Sequence, residues 1–173
     1  MPQHNGKPQP GAAVPRHKGT QVNARPRLLI EDWLPAAAIG VECQREHSLG
    51  GNSFPPNTRL HVWWARRPLC ASRAAVLASL LPADFPRDTF EKLLGFARPG
   101  EDLVEIRRLL DEKPKGTRIA IGFDCDRAFK NGLYKDDLEK AHAAVERLWG
   151  PEITVMDPMA GGGSIPLESA RMG

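Results

Sequence analysis

The run Glu152-Ile-Thr-Val-Met156, followed at once by Asp157-Pro-Met-Ala-Gly-Gly-Gly-Ser164, constrains the fold more than any other stretch. A short β-branched run bounded by turn residues predicts a buried strand of the parallel-sheet type. Ile165 to Met172 then reads as a helix. Strand, glycine turn and helix in that order form the opening unit of a doubly wound α/β fold. The glycines suit a turn at φ values that other residues resist, and they leave room for a ligand to approach the backbone. The helix start adds free N–H groups and a partial positive charge.

The spacing of the glycines narrows the ligand. A phosphate-binding P-loop needs Lys and then Ser/Thr after its last glycine, whereas Ser164 and Ile165 follow directly here. A dinucleotide fingerprint needs G-x-G-x-x-G, which Gly161-Gly162-Gly163 does not supply. An acidic residue at the end of the strand suits S-adenosylmethionine, which lacks phosphate and offers an ammonium for Asp157 to pair. A strand-to-helix turn without any ligand fits the same residues.

Upstream, residues 1–26 hold five prolines and almost no large apolar side chains. Such a segment buries too little surface to offset its chain entropy, so a disordered tail is expected. Order is expected from Leu28, with a short helix that has Pro35 in its first turn and Ala36, Ile39 and Cys43 along one face. Residues 48–57 read as a loop and 60–64 as a short strand. Pro68 opens a helix to about Leu81. Asp88 and Glu91 resemble a capping box for a helix through Phe96. Further helices are predicted over 101–112 and from Asp136 or Asp137 to Trp149, with Arg118 to Phe123 a strand or extended connector between them.

Here the sequence reaches a resemblance. DPMAGGGSIPLESARMG is similar to the first motif of prokaryotic adenine-specific DNA methyltransferases, with Met159 where that family usually has Phe. LLIEDWLPAAAIGVECQREHSLG and HVWWARRPLCASRAAVLASLLP resemble an amino-terminal domain of unknown function carried by one branch of those enzymes. The resemblance covers roughly residues 28–82 and 150–173. It implies a fold of class α/β: a mostly helical amino-terminal domain, then the first strand-turn-helix unit of an incomplete Rossmann-like methyltransferase sheet. The expected layout is a tail over 1–26, the domain of unknown function over 27–82, a helical connecting region over 83–149 and the start of an S-adenosylmethionine-binding domain from 150. The implied cofactor is S-adenosylmethionine, held by Asp157, Pro158, Ala160, Gly161, Gly162, Gly163 and Ser164. The implied reaction is methyl transfer to the N6 amine of an adenine flipped out of DNA. Host defence, with its partner proteins, is the setting the resemblance suggests.

That chemistry needs a second motif, Asn/Asp-Pro-Pro-aromatic. The one Pro-Pro pair, in Ser53-Phe54-Pro55-Pro56-Asn57, has the aromatic before it and the Asn after it, so no catalytic residue is assigned. An acidic residue for the ribose, about 20 residues beyond the turn, would fall past Gly173. One βα unit also cannot bury its own strand. The expectation is therefore an amino-terminal fragment, inactive alone and binding S-adenosylmethionine weakly or undetectably, completed by the rest of the domain in cis or in trans.

A second constellation, His61-Val-Trp-Trp-Ala-Arg-Arg-Pro68, concentrates two indoles and two guanidiniums. Trp63, Trp64, Arg66 and Arg67, extended by Arg73, could stack on bases and pair with phosphates, making the alternative reading a non-catalytic nucleic-acid-binding module. Core or interface tryptophans with arginines paired to carboxylates account for the segment equally well. Charge favours this half for a polyanion: residues 1–90 carry 11 Lys/Arg against 6 Asp/Glu, while 91–173 carry 13 against 15. Cys43, Cys70 and Cys125 are too few and too widely spaced for a disulfide framework, which points to the cytoplasm. Cys43 and His47 form half a zinc ligand set without a second pair, so no metal is expected. No apolar run approaches the roughly 18 residues that would cross a bilayer.

Overall fold

Proline punctuation sets the helical order. The computed structural model describes residues 25–47, 67–112 and 122–173. Seven α-helices occur among them: α1 (Leu29–Asp32), α2 (Ala36–His47), α3 (Leu69–Leu80), α4 (Arg87–Leu93), α5 (Gly100–Asp111), α6 (Lys135–Trp149) and α7 (Ser164–Met172). A 3₁₀ turn, Ala128–Lys130, lies between α5 and α6. Pro68, Pro86 and Pro99 occupy the N-cap positions of α3, α4 and α5. Each carbonyl accepts an opening helical bond, from Ser72, Phe90 and Leu103 in turn.

A proline cap has no side-chain acceptor for the unpaired N–H groups of the first turn. Two distant glutamates supply it. Glu46, near the end of α2, accepts the Leu69 N–H at 2.8 Å, and Glu91 of α4 accepts the Gly100 N–H at 3.0 Å. The expected capping box of Asp88 with Glu91 is thus corrected. Pro86 caps α4, and Glu91 serves the next helix instead.

The apolar sequence of α3, LCASRAAVLASL, explains its central place. A helix apolar around most of its circumference must be covered on several sides. Helices α1, α2 and α7 all pack against it, and α2 also packs on α5. The core gathers Leu29, Leu69, Leu81, Phe90, Leu93, Leu94 and Leu103, each essentially buried. Trp33 meets Phe90 edge-on, with ring centroids 6.2 Å apart. The core runs unbroken past residue 82, since Leu81, Phe85 and Phe90 share one apolar cluster. The segment before α1 is bound to the end of α3 by Leu29 N–H to Leu81 O at 2.9 Å and Ala83 N–H to Arg27 O at 3.0 Å.

Gly95 closes the turn after α4. Its φ is +84°, and a Cβ there would lie 2.3 Å from the Ala128 carbonyl oxygen. Any side chain would have to push the 3₁₀ turn away.

The α/β expectation is wrong for the described residues. No sheet forms among them, and the single β-contact is an isolated antiparallel bridge between Leu28 and Pro82. Among the described residues, 152–156 find no strand partner, and they lie exposed. The strand-turn-helix unit of a Rossmann-like sheet is therefore not present among the described residues; turn and helix form without the strand. The physical reason is that a strand exists only through the ladder beside it, and a β-branched run cannot supply its own neighbour. Gly122 and Phe123 are likewise not strand. Expectations for residues 1–24, 48–66 and 113–121 lie outside the described residues. No helix among the described residues is long and apolar enough to cross a membrane.

Candidate cofactor-binding turn

The turn before α7 is built from three local devices. Asp157 Oδ1 accepts the Met159 N–H at 3.0 Å, folding the chain back over Pro158. Gly161 and Gly163 then take left-handed φ values of +53° and +73°. Gly163 is the N-cap of α7, and its carbonyl accepts the Leu167 N–H at 2.9 Å. A Cβ at Gly163 would meet nothing within 4 Å, so backbone conformation rather than space selects glycine there.

A distant element fixes the start of α7. Ser164 is buried, and its Oγ donates to the Arg67 carbonyl at 2.8 Å. Arg67 therefore joins Asp157, Met159, Ala160, Gly161, Gly162, Ser164 and Ile165 around a cavity of about 150 Å³. Of the residues expected to hold a cofactor, the structure gathers Asp157, Ala160, Gly161, Gly162 and Ser164 at this cavity, with Gly163 shaping the backbone behind them. Pro158 is exposed on the turn and not among the lining residues. Met159 projects outward at 86% exposure. The volume is below the roughly 300–1,000 Å³ of pockets that enclose a whole small molecule.

Below the turn, α7 is locked to α3 by buried charge. Arg73 Nε donates to Glu168 Oε2 at 2.5 Å, and both side chains are 0% exposed. Arg73 Nη1 also donates to the carbonyls of Leu94 at 3.1 Å and Leu93 at 3.4 Å. Its Nη2 is buried without a hydrogen-bond partner. Glu168 Oε1 accepts from Arg171 at 2.9 Å, and Arg171 donates as well to the Phe129 carbonyl at 3.2 Å. One carboxylate thus ties α3, α7 and the 3₁₀ turn together. This location corrects the expectation for Arg73, which faces the core and not a nucleic-acid surface. Trp63, Trp64 and Arg66 lie outside the described residues. Arg67 is exposed.

A second buried group lies on α2. Glu42 accepts from Arg45 and from the Ala128 N–H at 2.9 Å, while Arg45 Nη2 donates to the Cys125 carbonyl at 2.7 Å. The Arg45 guanidinium also stacks over Phe123, 4.2 Å from the ring centroid. Sequence reasoning missed this group and Glu168. The available signal was register: Glu42, Arg45 and Glu46 fall three and four residues apart, on the helix face that carries Ala38 and Ile39.

Cys43 and Cys70 are not poised as nucleophiles. Burial, reinforced by the Glu46 carboxylate, pushes the Cys43 thiol up to about 11, and burial holds Cys70 well above the ordinary thiol range. No three His, Cys, Asp or Glu side chains gather as a metal site among the described residues.

Residues 33–97 match the family described as a protein of unknown function, DUF1156. No curated protein and no solved structure matches the chain. The family description names no activity. The matched segment spans α2, α3 and α4, and so contains both Arg67 and Arg73. The DUF1156 segment therefore contributes one wall of the glycine-turn cavity and the buried arginine that holds α7.

Proposed function

We propose that this chain supplies the S-adenosylmethionine-facing part of a DNA adenine-N6 methyltransferase. It acts together with a segment, in cis or in trans, that carries the missing Asn/Asp-Pro-Pro-aromatic motif. The observation that supports it most is the turn itself. Asp157, two left-handed glycines and the start of a nine-residue helix converge on a cavity sized for one end of a ligand. The proposal does not depend on a sheet. Asp157 would hold the cofactor's ammonium, and the backbone of Gly161 to Ser164 would lie against it. DNA is the partner, with Trp63, Trp64 and Arg66 as proposed contacts.

No adenine-stacking aromatic lines this cavity among the described residues, and its one carboxylate, Asp157, is assigned to the cofactor's ammonium. The 173-residue chain alone is therefore expected to transfer no methyl group. The test joins or mixes the chain with its motif-bearing partner segment, then measures N6-methyladenine formation and calorimetric binding of S-adenosylmethionine. Methylation by the pair, with binding lost in Asp157→Ala, is the expected result. Binding that ignores Asp157→Ala would sink the assignment of the turn, and turnover by the chain alone would refute the proposed division of labour.

A further inference from the structure

Beside α1 lies a groove of about 590 Å³ between the starts of α2 and α5. Its floor is apolar, with Trp33, Leu34 and Pro35 each only partly buried. Its rim is acidic, with Glu91, Glu101 and Glu105, and no basic side chain lines it among the described residues. Arg108 pairs with Glu105. Glu91 accepts the Gly100 N–H, and neither Glu91 nor Glu101 pairs with a cation among the described residues. The partial positive charge at the start of α2, about half a unit, offsets only part of these two carboxylates.

One segment of the chain has the complementary composition. Residues 1–24 carry Lys7, Arg16 and Lys18 and no Asp or Glu, so the whole formal charge of +3 resides there and the rest of the chain balances. Within it, Val14-Pro15-Arg16-His17-Lys18 sets two apolar side chains beside two cations. The chain also enters the fold next to the groove. Arg25 pairs with Glu31 and Arg27 with Asp32, both on α1, which runs directly into Trp33. Lys18 stands seven positions before Arg25, a reach of up to about 25 Å.

We infer that this groove is the docking site of the chain's own segment 14–18, with Arg16 and Lys18 against Glu91 and Glu101, and Val14 and Pro15 on Trp33 and Leu34. Attachment in cis lets a weak contact suffice, because a short tether holds the segment at an effective concentration of roughly millimolar. Docking covers the indole and, while it lasts, withholds Arg16 and Lys18 from a polyanion.

The test is NMR of the full chain labelled with ¹⁵N and ¹³C. Nuclear Overhauser contacts between the Val14 methyl groups and the Trp33 ring are expected, and they should vanish in the double variant Arg16→Glu with Lys18→Glu. That variant should also shift the Trp33 indole N–H and the Gly100 and Glu101 amides, while signals of the buried Leu77 stay in place. Salt at about 1 M, where the Debye length is about 3 Å, should move the same groove signals in the same direction. Glu101→Gln, at an exposed position, should reproduce part of the Trp33 shift. Groove signals that ignore the double variant would overturn the docking. Shifts that scale with protein concentration would place the segment on a second copy and overturn docking in cis. A double variant that moves core signals as far as groove signals would overturn it as well.

Discussion

Glu168→Ala is the most informative perturbation of the fold. Glu168 is 0% exposed and is the one carboxylate paired with the equally buried Arg73. Its removal leaves a guanidinium in the core with only the Leu93 and Leu94 carbonyls, and with an Nη2 that already lacks a partner. Stranding one member of a buried pair costs about 3–5 kcal/mol, because the remaining charge keeps its desolvation penalty and loses its compensation. That is at least about a fifth of the roughly 5–15 kcal/mol that stabilises a typical domain. At about 2–4 °C per kcal/mol for a chain of this size, the melting temperature should fall by roughly 6–20 °C. Urea unfolding monitored by circular dichroism gives the free energy, and the double variant Arg73→Met with Glu168→Leu provides the control. Replacing both charges with apolar groups of similar volume should recover most of the loss, since a buried pair is often no better than a hydrophobic one. A cost below about 1 kcal/mol for Glu168→Ala would refute the placement of this pair. So would a double variant as unstable as the single one.

Two further outcomes follow from backbone and burial. Gly95→Ala and Gly163→Ala both place a side chain at positive φ, which costs about 1–2 kcal/mol. Gly163 has open space around it, whereas at Gly95 the new Cβ would also strike the Ala128 carbonyl, so Gly95→Ala should be clearly the more damaging. Equal costs in urea unfolding would argue against the close approach. For Cys43, a folded-state pKa raised from 9.0 to about 11 means that the native state keeps a proton the unfolded chain gives up. Its stabilising contribution is present below the unfolded value and is lost as pH rises through the interval to about 11. Denaturation midpoints measured across that interval should fall more steeply for the native chain than for Cys43→Ala, and an identical slope would reject the assignment. The same shift predicts slow alkylation of Cys43 near neutral pH.

The helices were legible because their signals are local. Pro68 and the apolar run after it mark α3 within a residue, and the amphipathic pattern and Gly150 mark α6. The strand over 152–156 was misread for the opposite reason. Ile153, Thr154 and Val155 favour extended backbone, but pairing depends on a neighbour that their own sequence does not encode. Trp149 shows a milder form of the same limit. It ends the amphipathic pattern of α6, yet it is 45% exposed while its indole N–H reaches the Leu80 carbonyl at 2.8 Å. Amphipathic counting places an apolar ring inside and takes no account of a donor that needs a carbonyl at the end of another helix.

Charged residues gave the least reliable reading, and they matter most for the cavity. Arg73 was expected on a nucleic-acid surface because arginine is usually solvated, and Glu168 drew no attention for the corresponding reason. A buried carboxylate can be recognised only with its partner, and here the partners are 95 positions apart. The same separation links Arg67 to Ser164, 97 positions away. Both links run from the DUF1156 segment to α7, one at the start of the helix and one a turn further along its buried face. Two anchors on a nine-residue helix fix its position along its axis and its rotation about it. The glycine turn is continuous with that helix, so it inherits both constraints. The left-handed glycines allow the turn to form, and the DUF1156 segment determines where it points.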